Sequence, residues 1–232
     1  MPANNVESEW DWVFENYQQT PTQAFLRAFH IGAESGANAF IEEIQKSATD
    51  NKLNGDLLYA QIYMEYLYFY LHLLDRNVFA ELGPEKRAKF IDDFVFKAFS
   101  NAIAFFFKDG DKKKLFKVMG DGYNEASEQY LPYQDMLAPK EKPTSENALA
   151  PQLAKRIADI LRLSSDDFIT KFSIGYKAYS PIIGFQVVVD LGEWSKGPIM
   201  EMGLKKYKSV KLVDEAKQKR IEKLNEEFSK KD

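Results

Sequence analysis

Apolar residues recur at three- and four-residue intervals along most of this chain, the spacing of one buried face of an α-helix. Trp10, Val13, Phe14 and Tyr17 predict a first helix over Val6 to Tyr17. Thr20-Pro21-Thr22-Gln23 then supplies an N-cap threonine, a proline at the first helical position and a glutamine that can reach back to the cap. The helix it opens should run to about Lys46, with Phe25, Phe29, Phe40, Ile41 and Ile44 as its apolar stripe. Gly32, Ala33, Gly36 and Ala37 make a small-residue patch in its middle. A glycine costs a helix interior about 1 kcal/mol, so close approach of another backbone is the natural compensation.

The densest apolar run belongs to a third helix starting near Asn54, and Leu82-Gly83-Pro84 ends it. Pro84 can open the next helix, whose broad face carries Phe90, Phe94, Ala98, Phe99 and Ile103. So short a link predicts a central antiparallel hairpin of 55–82 against 84–107. Lys112 to Met119 and Asn124 to Leu131 read as two shorter helices broken at Gly120-Asp121-Gly122. Residues 138–150, with Pro139 and Pro143 among polar residues, read as a loop or linker. Helices resume at Pro151 to Leu163 and after Ser164, which places Asp166 and Asp167 in a first turn. Residues 182–189 have the β-branched content of a strand but nothing to pair with, so a buried, glycine-containing helix is the preferred reading. The segment 205–232 reads as a basic amphipathic C-terminal helix through Val213, Ala216, Leu224 and Phe228. Together these elements predict an all-α fold: one helical domain over 1–232, a multi-helix bundle of about eight helices.

Composition changes this picture in one respect. Phenylalanine occurs 18 times and tyrosine 12 times, so the core should be built from rings, with hydroxyl groups that need partners. The net charge of −4 lacks the basic footprint of a nucleic-acid binder. It is uneven: Lys205 onward carries +4 and the remainder −8, which makes the tail a candidate for contact with an anionic partner. With no cysteine, disulfide and thiolate chemistry are excluded, and a cytoplasmic location is expected. The apolar run Leu57 to Leu74 approaches the length of a membrane span. Gln61, Glu65 and His72 interrupt it, so a buried helix of a soluble protein is expected.

Motifs with a chemical meaning fail when tested. Gly120-Asp121-Gly122 lacks the third glycine of a dinucleotide loop, Gly192 to Gly197 lacks the lysine of a P-loop, and Asp109-Gly110-Asp111 runs into three lysines instead of the carboxylate ladder of a calcium loop. What remains is a stripe on the third helix. Glu65, His72 and Arg76 fall within about 40° of one another at 100° per residue, with Gln61 and Asp75 nearby. One helix earlier, His30 and Glu34 lie one turn apart. These are the two histidines of the chain, each with an acidic neighbour. The Glu-x-x-His pattern of di-iron bundles is absent, since Arg27 and Phe69 stand three before the histidines, and no metal set is assigned.

The simplest reading of the stripe is a solvent-facing surface. A buried hydrogen-bond network and a ligand or acid–base site comprising Glu65, His72, Asp75, Arg76, His30 and Glu34 are the alternatives. Two functions follow. One is a helical interaction or oligomeric structural protein without catalysis, meeting a protein partner or further copies of itself. The other is a small-molecule or metal-binding protein, even an enzyme, centred on Glu65, His72 and Arg76. No cofactor is implied.

Overall fold

The chain is described here by a computed structural model covering residues 20–47, 56–107, 110–136, 148–161, 177–178, 181–186 and 189–207. Its first element, α1 (Pro21–Ser47), begins as its sequence directs. The Gln23 amide donates to Thr20 Oγ1 at 3.3 Å, and the Thr20 amide donates to Gln23 Oε1 at 3.1 Å. The Thr22 amide donates to Glu201 Oε2 at 2.9 Å, so the free amides at the helix start are satisfied.

The hairpin follows as α2 (Asp56–Leu82) and α3 (Pro84–Phe106). Gly83 joins them at φ 73°, a left-handed conformation that a side chain disfavours, and its amide donates to the Phe79 carbonyl. Next come α4 (Lys112–Tyr130), α5 (Leu149–Ile160) and α6 (Leu191–Glu201). Among the described residues the fold is an all-α bundle of about seven helices rather than eight, with no strand.

Three expectations change. Lys112–Tyr130 is one continuous helix through Gly120-Asp121-Gly122. A Cβ at Gly122 would lie 2.8 Å from Tyr68 Oη, so this glycine lets a ring pack tightly on the helix and does not break it. Residues 181–186 are helical, as preferred, but a second helix starts separately after Asp190, whose carboxylate caps the Gly192 and Glu193 amides. The helix expected at Pro151 begins two residues earlier, inside the 138–150 stretch. There the Leu149 and Ala150 amides donate to the carbonyls of Asp135 and Met136. The helices expected at 6–17 and after Ser164 fall outside the described residues; of the helix expected over 205–232, residues 205–207 are not helical and the rest lies outside the described residues.

Helix α2 is the centre of the bundle and packs against α1, α3, α4, α5 and α6. Every residue from 62 to 74 is buried, so no side of the helix faces water there. Rings fill most of the space, with Phe29 against Phe94, Tyr68 against Phe99 and Phe69 against Tyr130. Each such ring contributes roughly 1.5–3 kcal/mol on burial. The small-residue patch of α1 meets rings, not a backbone. Phe185 seats against Gly32 and stacks on Tyr70 at 4.0 Å, while Tyr66 lies against Gly36. At the other end of the chain, Gly203 (φ 68°) ends α6 and turns residues 204–207 into a strap across the α2–α3 link. Lys86 Nζ donates to the Leu204 carbonyl at 2.8 Å, and Glu81 accepts from Lys205 Nζ at 2.5 Å and Tyr207 Oη at 3.0 Å.

Candidate functional site

The polar stripe of α2 does not face solvent. Glu65 is 6% exposed and His72 3%, because helices cover α2 on all sides. Gln61 alone of the five lies exposed, and Asp75 and Arg76 are half-buried.

Glu65 meets Arg156 of α5. The guanidinium donates from Nε at 2.6 Å and from Nη2 at 2.9 Å, a fork that occupies both carboxylate oxygens. Arg156 Nη1 reaches outward to the exposed Glu125 of α4 at 3.2 Å. Burial is the largest influence on Glu65 and pushes its carboxyl above the usual range, against the pull of Arg156. Burial also opposes the charge on Arg156, but Glu65 outweighs it and holds the guanidinium charged.

His72 packs beside the Tyr130 ring with centroids 5.3 Å apart. Burial lowers its pKa to about 4, helped by Arg76 and opposed by Asp75, so the imidazole is neutral at pH 7. Its Nε2 and the Tyr130 hydroxyl are both buried without a hydrogen-bond partner. Burial, with Glu65 adding to it, drives the Tyr130 hydroxyl far above its usual range, so it too stays neutral.

The rest of the stripe diverges. Asp75 pairs with both Nε and Nη2 of Arg87 on α3, and Arg76 Nη1 donates to the Tyr133 carbonyl at 2.8 Å, fixing the turn between α4 and α5. Side chains that share a stripe at Cα level therefore end on four different neighbours, Arg156, Tyr130, Arg87 and the Tyr133 carbonyl.

His30 sits on another side of α2, where its Nδ1 hydrogen-bonds Tyr63 Oη, and its buried Nε2 has no partner. Burial lowers its pKa to about 4 as well. Glu34, one turn on, is exposed; burial and then its charge push the Tyr59 hydroxyl up to about 12. Tyr63 and Glu65 project roughly 160° apart around α2, so the two histidines do not share a site. Among the described residues no three His, Asp or Glu side chains gather as metal ligands, and no helix is long and apolar enough to cross a membrane.

Arg156, Tyr130, Arg87 and Tyr63 complete these contacts and were not singled out by the sequence reading. Arg156 had a signal. It lies on the apolar face of α5 beside Leu149, Leu153 and Ile157, where a guanidinium needs a buried anion. Comparison of the chain with known protein families, with curated proteins and with solved structures finds no match.

Proposed function

We propose that this chain is a helical interaction protein that works without catalysis, offering its outer surface to a protein partner or to further copies of itself. The use of the polar stripe carries this reading: Glu65 ties α2 to α5, Asp75 ties it to α3, and Arg76 ties it to the 131–136 turn. Groups committed to neighbouring elements are not aimed at a shared ligand. The surface meanwhile carries large apolar side chains that a partner would cover, notably Phe96 at 60% and Phe105 at 61% exposure. The cysteine-free composition supports a cytoplasmic setting.

A photoreactive residue replacing Phe96 or Phe105, in cells that make the protein, should give one discrete cross-linked product. Recovery of uncross-linked chain alone at both positions would overturn the reading.

One observation favours the second reading, a small-molecule or metal site at Glu65, His72 and Arg76: the buried His72 Nε2 and Tyr130 hydroxyl are both unpartnered, on rings whose centroids lie 5.3 Å apart. Tyr130→Phe separates the two. Removing an unpaired buried hydroxyl should leave the protein as stable or up to about 1 kcal/mol more so. A bound metal or a ligand-induced melting shift that disappears in this variant would favour the site instead.

A further inference from the structure

The charges of α4 run against its own dipole. The helix opens on Lys112, Lys113 and Lys114, followed by Lys117, and carries Asp121, Glu125 and Glu128 in its second half. A helix N-terminus favours anions and a C-terminus cations, so Lys112 to Lys114 and Glu128 sit at unfavourable ends, with the Asp111 cap as the one compensating anion. All seven groups are exposed; Lys117 pairs with Asp121 one turn on and Glu125 with Arg156, while among the described residues Lys112, Lys113 and Lys114 have no carboxylate partner.

Gly120 lies at the midpoint. Gly122 is explained by Tyr68, but a Cβ on Gly120 would meet nothing within 4 Å, so nothing within the described fold accounts for a glycine in mid-helix. At 100° per residue, Lys113, Lys117, Gly120, Asp121, Asn124 and Glu128 occupy one sector about 100° wide. Just past its edge Phe116 stacks on the exposed Phe96, with ring centroids 5.0 Å apart.

We infer that this sector is a self-association surface on which α4 of a second copy lies antiparallel, crossing at Gly120. A two-fold axis between Gly120 and Asp121 sets Lys113 of one copy against Glu128 of the other, Lys117 against Asn124, and Gly120 against Asp121. The arrangement is isologous, so each contact occurs twice. The charge order that is unfavourable within one helix becomes complementary between two. The missing side chain at position 120 allows the axes to approach, and the Phe96–Phe116 pair borders the contact with apolar surface. The inference rests on the interaction reading and names its partner, so it can fail while that reading stands.

Sedimentation velocity of the full chain over a range of concentrations, to millimolar, tests it. The wild type should form a dimer that weakens as salt is added. K113E/K117E and D121K/E128K should each weaken self-association at least about tenfold, with unchanged helical circular dichroism. Mixing the two should restore a heterodimer of near wild-type affinity. Gly120→Ala should raise the melting temperature of the dilute monomer and weaken the dimer. A wild type that stays monomeric, or a dimer indifferent to either charge reversal, would overturn the proposal whatever the cross-linking from Phe96 shows. A heterodimer that fails to form on mixing would do the same.

Discussion

The two sides of α2 solve one problem differently. Toward α1 and residues 181–186, Tyr66 and Tyr70 meet Gly36 and Gly32, and Phe185 closes the gap; space is filled by fitting rings against missing side chains. Toward α4 and α5, the same helix presents Glu65 and His72 to Arg156 and Tyr130; space is filled around a buried ion pair. Tightness limits the first side, because rings do not compress. Polarity limits the second, because a buried charge is tolerable only while its partner is present. A helix with no solvent face allows no third solution.

The largest effect should come from breaking the ion pair on one side only. Arg156→Met strands the Glu65 carboxyl and should cost about 3–5 kcal/mol, a fall in Tm on the order of 10 °C. Adding Glu65→Leu should recover most of that loss. A single variant within about 1 kcal/mol of wild type would mean that the pair does not hold α5 in place.

Acid should act next, through His72 on this side and His30 on the α1 side. His72 and His30 have folded-state values of about 4 against an ordinary 6.5, so the unfolded chain takes up these protons first as pH falls. Their contribution is complete above pH 6.5 and is lost as pH drops from 6.5 toward 4, to a ceiling of roughly 3 kcal/mol each. Glu65, held above its usual range, acts in the opposite sense: its contribution is present at low pH and lost as pH rises. Melting curves between about pH 7 and pH 5 for wild type and His72→Phe therefore isolate the imidazole, and parallel curves would contradict its assignment.

The smallest effect belongs to the aromatic side. Gly32→Ala gains about 1 kcal/mol of helix propensity but drives a methyl into the Phe185 ring, for a net loss of about 1–2 kcal/mol. Phe185→Val in the same chain should return part of it, and an additive double variant would show that the two do not compete for space.

The hairpin was legible because its signals are local: Gly83 and Pro84 punctuate it, and the ends of α2 and α3 fall within one residue of those expected. The ring-built core followed from the tyrosine and phenylalanine content. Two misreadings share one physical cause. Gly120-Asp121-Gly122 looked like a break because the reason for Gly122, the Tyr68 ring, lies 54 residues away. Glu65 looked solvent-facing because Arg156, on another helix, is what makes its burial tolerable. The signal against solvent was the run itself: unbroken apolar residues on both sides of Glu65 and His72 leave α2 no continuous polar face.

The strap at 204–207 bears on how the chain is made. Nascent polypeptide emerges in order, and α2, Gly83 and α3 contain all that their own link requires. The same corner takes its seal from Leu204 and Lys205, which leave the ribosome 118 and 124 residues after Lys86 and Glu81. The corner is thus synthesised early and its seal late, with α4, α5 and α6 made in between. A chain arrested before residue 204 carries the hairpin with its closing contacts unmade, and in that form its rings are open to aggregation and to chaperones.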